Sequence, residues 1–360
     1  MNTKILYILP SYNKFGGTPK KTLDLIKYST NTCYLYVWTN TYAAEFKQEF
    51  VDAGACIYEG VYGRNIFKHI FNLLKIIKRH KIDIIQSQFF FGELLSNILK
   101  ILKPQLKLVI AFVGAISPTG YKKRLLKLFY HRVDAFVYIS NYVRSEKVKA
   151  FPSLDKARGE VIYNGTNKPY ITLNNIESNQ DKVTILCVSG LSKIKNVQIL
   201  IDCMDILLKK GYDQVQFLVA GDGPERASFE IQIQQKKLSN NFILLGYQKN
   251  IGNLYKKTNI FVHPCYVEGF GIAVVEAMLE EKPIIVANAG AMPELVNQNK
   301  TGLLVDPFVA KEWADAIIKF INNPDYAKTI ATNAKQYAET YFTVKQFVDN
   351  YNKLYKALLN

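Results

Sequence analysis

Short apolar runs rich in β-branched and aromatic residues alternate along the whole chain with segments whose apolar residues recur at helical spacing. In the first half, the runs at 5–9, 33–38, 82–87, 108–112, 135–139 and 161–163 predict strands with helices between them. A polar stretch at 164–182 (NGTNKPYITLNNIESNQDK) interrupts the alternation, which restarts with runs at 183–188, 215–220, 242–245, 260–263 and 283–287. Runs that are apolar throughout suit strands buried on both faces, so the pattern predicts parallel sheets covered by helices on each side. The chain therefore reads as an α/β protein of two doubly wound domains joined near residue 170. In such sheets the ligand is expected beyond the carboxyl ends of the strands, here in a cleft between the domains.

A length of 360 residues agrees with two domains, and 49% apolar with 21% charged residues excludes a disordered chain. The opening apolar run ends at Pro10, too early for a signal peptide, and no later run approaches membrane-spanning length. Cys33, Cys56, Cys187, Cys203 and Cys265 form no CxxC pair, and are expected to be reduced core thiols of a cytoplasmic protein. Charge is distributed unevenly: residues 1–180 carry 26 Lys and Arg against 12 Asp and Glu, while 181–360 carry 20 against 18. The excess concentrates at 65–81 (NIFKHIFNLLKIIKRHK) and 121–132 (YKKRLLKLFYHR), where Phe, Ile and Leu recur among Lys and Arg. Two readings stand, a peripheral docking face for an anionic membrane and packed helices with lysine-rich outer sides. Nucleic acid is not an expected partner, because no helix-turn-helix, RNP-like or zinc signature is present. His69, His80 and His131 fall within the basic segments and are expected on the surface.

Candidate chemistry concentrates in the second half. Glu268 and Glu276 lie eight residues apart, close to two helical turns, so a helix already forming at Glu268 would turn both acids to one side. Gly269 and Gly271 between them would let a ligand approach the backbone at a helix start. Carboxylates accept charge-assisted hydrogen bonds from sugar hydroxyls, and helix N-termini attract phosphate, so the spot suits a sugar bearing a phosphate. After the first strand of the second half comes SGLSKIKN (189–196), which sets Lys193 and Lys195 at a helix start, where cations gain more from a diphosphate than from the helix. After the first strand of the chain, Gly16 and Gly17 open a helix and can offer backbone N–H groups to a phosphate. The only stretch near a G-x-G-x-x-G fingerprint, at 221–226, ends in Arg226, which counts against a dinucleotide oxidoreductase. His263 before Pro264 reads as shaping a loop, and Ser140 with Asn141 as a helix cap.

In their order these pieces resemble the family 4 retaining glycosyltransferases of the two-domain GT-B fold: SGLSKIKN, then GDGP at 221–224, HPCYVEGFG at 263–271 with Glu276 beyond, ANAGAMPELV at 287–296 and TGLLV at 301–305. The resemblance implies two Rossmann-like domains facing across a cleft, at 1–168 on the acceptor side and 169–340 on the nucleotide-sugar side. The last helix, at 341–360, would cross back to the first domain. It also implies that Glu276 holds the ribose of a nucleotide sugar, that Glu268 with the backbone of Phe270 and Gly271 grips the donor sugar, and that Lys195 neutralises the diphosphate. Gly16, Gly17, Lys193, Gly221 and Gly223 complete the implied donor site. No cofactor or metal is expected, since no D-x-D triplet occurs and the donor, expected to be a UDP-sugar, is a substrate.

Departures from the family pattern are specific. Gly190 stands where the family usually has an arginine, and Lys193 is a point charge that cannot reproduce the bidentate fork. Gln86, Gln88 and Val113 stand where the family often has histidines. The expected activity is transfer of the donor sugar, with retention, to a glycan or lipid-linked acceptor in surface polysaccharide synthesis at the cytoplasmic membrane face. The departures keep open a second reading, a catalytically silent relative acting as a binding or partner subunit.

Overall fold

The computed structural model describes residues 2–12, 17–39, 44–169 and 182–360. The chain divides into two compact units, residues 1–165 with 344–360, and residues 166–343. The expectation from sequence placed these boundaries at 168/169 and 340/341.

The first unit is built on a parallel sheet of β1 (Lys4–Leu9), β2 (Thr32–Val37), β3 (Cys56–Glu59), β4 (Ile84–Ser87), β5 (Lys107–Phe112), β6 (Ala135–Tyr138) and β7 (Gly159–Val161). Its order is β3-β2-β1-β4-β5-β6-β7. The second sheet holds β8 (Val183–Val188), β9 (Val215–Ala220), β10 (Phe242–Gly246), β11 (Ile260–His263), β12 (Ile284–Ala287) and β13 (Leu303–Val305), in the order β10-β9-β8-β11-β12-β13. Every pair in both sheets is parallel. Central strands such as β1 (KILYIL) and β11 (IFVH) are buried on both faces, which is why they read as unbroken apolar runs. In each sheet the strand order reverses beside the first strand, between β1 and β4 and between β8 and β11, the topological switch points where such sheets generally bind ligands.

Three edge strands depart from the sequence expectation. The pattern missed β3 and β13, and β7 begins two residues before the apolar run at 161–163. Edge strands need only one partner, so Cys56–Glu59 and Gly159–Val161 pair through backbone bonds with few apolar side chains to mark them. His69 is a further correction, for it is fully buried, its Nδ1 2.7 Å from Tyr36 Oη and its Nε2 2.9 Å from Gly63 O. It lies on the inward face of the helix Ile66–His80 with Ile70, Leu73, Ile76 and Ile77, so helical phase outweighs the basic neighbours in sequence. His80 is half-buried against Tyr58 Oη at 2.6 Å, whereas His131 is exposed. Four of the cysteines are buried as free thiols, but Cys56, on the edge strand, is exposed.

The last helix, Val344–Leu359, belongs to the first unit and buries Val344, Phe347, Val348, Tyr351, Leu354, Tyr355 and Leu358 at helical spacing. Its Tyr355 hydroxyl donates to Gln86 Oε1 on β4 and accepts from Tyr7 on β1 at 3.3 Å. Ser140 caps the helix Asn141–Ala150 by accepting from Val143 N. No described helix is long and apolar enough to cross a membrane.

Behind β5, Glu93 is buried and accepts a 2.9 Å hydrogen bond from Tyr130, with Lys147 nearby. Lys147 donates to Ile116 O at 2.6 Å and to Ser117 Oγ at 3.2 Å, holding the loop that leaves β5. Burial raises the Glu93 carboxyl to about 7, and the Tyr130 hydrogen bond and Lys147 charge offset it only partly. A carboxyl with a raised folded pKa keeps its proton while the unfolded chain ionises, so it costs stability as pH rises from about 4.5 through 7. Glu93→Gln should therefore flatten the fall in thermal midpoint between pH 5 and 8, recovering on the order of 2–3 kcal/mol at pH 8. An unchanged slope in calorimetry at both pH values would rule Glu93 out as its source.

Candidate functional site

The carboxyl ends of β8, β11 and β12 release three loops side by side. After β8 the chain turns through Ser189–Asn196, with Lys193–Lys195 forming one 3-10 turn rather than the start of the following helix, Gln198–Lys209. Asn196 ends that turn in a left-handed conformation, φ 54°, and its side chain donates to Pro307 O at 2.6 Å. The β11 loop runs from Pro264 to Gly271 and touches the first through Tyr266 N to Ile194 O at 3.3 Å.

Glu268 and Glu276 do not share one helix, contrary to what their spacing predicts. The helix begins at Ile272, so Glu268 lies in the preceding loop and only Glu276 is helical. What directs Glu268 is its neighbours. Its Oε2 accepts from Lys195 Nζ at 2.7 Å and from His263 Nε2 at 3.2 Å. Its backbone is held by the β12 loop, where Ala291 N donates to Glu268 O at 2.9 Å. A Cβ on Gly290, φ 60°, would lie 2.8 Å from Glu268 N and O, so only glycine allows this approach.

Burial by itself would raise the Glu268 carboxyl, but the hydrogen bond and charge interaction with His263 and the Lys195 ion pair outweigh it and hold the group well below the usual carboxylate range. Burial lowers Lys195, but Glu268 and Cys265 overcome this and raise it. Both groups are therefore charged at neutral pH. Cys265, beside them, is pushed up to about 11, mainly by burial, and is a protonated thiol.

Glu276 is also buried, with Tyr255 Oη 3.4 Å from its Oε2. Gly271 takes φ 96° just before this helix, where a Cβ would approach Met292 Cε to 2.7 Å. Phe270 turns its ring into the core, edge-on to Phe342 at 5.7 Å.

Gly221 and Gly223 have a structural reason independent of any ligand. A Cβ on Gly221, φ 142°, would come within 2.0 Å of Ser189 O, and one on Gly223 within 2.3 Å of Leu191 O. Leu191 N also donates to Asp222 O at 3.0 Å. The GDGP turn is thus the base on which the lysine loop rests. Lys193 is exposed. Gly17 opens the helix Gly17–Tyr28 in the first unit, while Gly16 lies outside the described residues. The structure brings Lys195 and Glu268 together and adds His263, Cys265 and Gly290, which the sequence reading did not assign to the site. His263 and Cys265 stand five and three residues before Glu268, and that spacing on a loop leaving a strand was the available signal.

Residues 172–337 match the family described as Glycosyl transferases group 1, and residues 16–168 match Glycosyltransferase Family 4. An uncharacterized glycosyltransferase of Methanocaldococcus jannaschii is 29% identical over 291 residues, covering 79% of this chain and 78% of that protein. The capsular polysaccharide biosynthesis glycosyltransferase CapM of Staphylococcus aureus is 30% identical over 181 residues, 50% of this chain and 47% of CapM. The chain spans about half the length of this and several other curated relatives that it matches. Among solved structures, Anabaena HepE in complex with UDP superposes with a TM-score of 0.84 at 21% identity, covering 99% of this chain and 100% of that one. Two parallel Rossmann-like sheets, the motif order along them and these matches lead to one conclusion: the chain belongs to the family 4 glycosyltransferases and has the GT-B fold.

Proposed function

We propose that the protein transfers a sugar from a UDP-linked donor to a glycan or lipid-linked acceptor in surface polysaccharide synthesis, with retention at the anomeric carbon and without a metal. The observation that carries this reading is the charged Lys195–Glu268 pair with His263, set between three strand ends beside the helix that bears Glu276. UDP bound to the Anabaena relative and the capsular role in CapM's name support the donor and acceptor classes.

In this reading Glu276 accepts hydrogen bonds from the ribose, and Glu268 from the donor sugar. Lys195 moves its charge from Glu268 to the diphosphate, where negative charge grows as the anomeric C–O bond breaks. The acceptor oxygen bonds to the same face of the anomeric carbon and gives its proton to the departing phosphate oxygen. No protein nucleophile is required, so positioning and electrostatics carry the rate. Lys193 and the backbone of Phe270 and Gly271 line the donor, while the close packing of Gly221 and Gly223 supports the lysine loop.

Acceptors anchored in lipid agree with the first unit's surface. The helices Ile66–His80, Phe89–Leu102 and Gly120–Phe129 pack side by side. They expose Phe67 at 88%, Phe71 at 62%, Tyr121 at 72% and Leu128 at 67% among lysines. Apolar side chains ringed by cations suit peripheral contact with an anionic membrane, at the cytoplasmic face in this proposal.

Hydrolysis of UDP-sugars by the purified protein, with the released or transferred anomer followed by NMR, separates an enzyme from a silent binding subunit. Glu276→Gln should weaken UDP binding roughly tenfold, the worth of one charge-assisted hydrogen bond. Unchanged UDP affinity in a folded variant would remove Glu276 from the donor site.

Gly190 offers a gain-of-function test. A Cβ there meets nothing nearer than Asp222 O at 3.7 Å, so a side chain can start at this position without a backbone clash, and Gly190→Arg would restore the second diphosphate cation of the family. UDP affinity should rise about tenfold while uridine affinity stays level. Equal gains for both ligands would refute a phosphate contact.

For the membrane, the protein should sediment with anionic vesicles and be released by salt, at ~1 kcal/mol per lysine near the surface. Replacing Lys122, Lys123, Arg124 and Lys127 with Gln should abolish sedimentation and leave UDP-sugar hydrolysis intact. Equal binding to neutral vesicles would argue for apolar insertion instead.

A further inference from the structure

The donor set around Lys195 has a second chemical meaning. One ligand atom from each of His263, Cys265 and Glu268 lies within 4.8 Å of the others. Nitrogen, sulfur and oxygen donors in one cluster suit borderline-soft divalent cations, Zn2+ above all. Tetrahedral zinc with bonds of about 2.0–2.3 Å sets its ligands roughly 3.5 Å apart, so the cluster must contract by about 1 Å. Cys265 and Glu268 lie on the loop after β11, where contraction of that size is within reach of side-chain rotation, while His263 ends the strand. His263 is only 3% exposed, and its Nδ1 has no hydrogen-bond partner among the described residues, an uncompensated buried nitrogen. The other cation in the cluster is the protein's own. Lys195 is bonded to Glu268 at 2.7 Å, so its ammonium occupies one of the three donors, and its charge also acts on the Cys265 thiol.

We propose that His263, Cys265 and Glu268 form a latent site for a thiophilic divalent cation such as Zn2+, which the Lys195 ammonium keeps closed. Entry of the metal displaces the ammonium, still protonated, from Glu268 and releases the Cys265 thiol proton to water as the metal–sulfur bond forms. No electron is transferred. Two positive charges cannot share the cluster cheaply, so lysine and metal compete. Resting on the functional reading above, the consequence is an enzyme that needs no metal yet is inhibited by Zn2+, because the metal takes Glu268 from the sugar and expels Lys195 from the diphosphate.

The test measures metal binding by the full chain directly. Lys195→Met, or Lys195→Gln if Met impairs folding, should bind Zn2+ at least tenfold more tightly than wild type in titrations against a competing chelator. The Co2+ form should show a thiolate-to-cobalt charge-transfer band, which Cys265→Ser in the same background should remove. Equal Zn2+ affinity with and without Lys195, or a cobalt spectrum unchanged by Cys265→Ser, would overturn the site. Zn2+ should also lower UDP-sugar hydrolysis by wild type and spare the Cys265→Ser variant. A wild type without any hydrolysis would sink the functional reading, and the binding and spectral arms would still decide the metal site.

Discussion

Because β8 lies between β9 and β11 in a parallel sheet, the segments leaving β8 and β11 emerge at the same edge and run beside each other. That adjacency is fixed by burial, since both strands are apolar on both faces and neither can move to an edge without exposing them. It places a lysine-bearing turn against an acid-bearing loop and makes the Lys195–Glu268 contact local in space though 73 residues apart in sequence. The loop after β12, next in the sheet, clamps the Glu268 backbone from the other side.

Ion pairs taken out of water seldom add much net stability, because desolvation offsets the mutual attraction. The pair here has another use. Each charge neutralises the other where both side chains are only partly exposed, and His263 supplies a second donor to the carboxylate. Both groups are thus held charged and oriented. The lysine's charge is tethered to the β8 loop, and the carboxylate it meets belongs to a cluster with His263 and Cys265.

Gln86 shows how a departure from a family pattern can be absorbed. Gln86, one of the departures noted in the sequence, is buried and receives the hydroxyl of Tyr355. It ties the final helix to the central strands of the first unit, with Tyr7 completing the chain of hydroxyls. Its Oε1 thus joins β4 to the last helix, while its buried Nε2 has no hydrogen-bond partner among the described residues.

Much of the fold was legible because burial on both faces writes central strands as continuous apolar runs, as at β1, β8, β9 and β11. Edge strands β3 and β13 were not, since a strand with one neighbour needs little apolar sequence to form. The motif order likewise marked Lys195, Glu268 and Glu276, because the residue types carry their chemistry on their face. Their arrangement was not legible. Helical spacing suggested that Glu268 and Glu276 share a helix face, yet the helix starts after Gly271 and Glu268 is aimed by Lys195 and His263. Gly221 and Gly223 were expected at the donor site, and the structure adds a packing requirement the sequence did not show, since a Cβ at either would meet the backbone of Ser189 or Leu191. A sequence records which groups are available and the period of the elements that carry them; strand order alone decides which loops meet, and with them which charges, glycines and donors become neighbours.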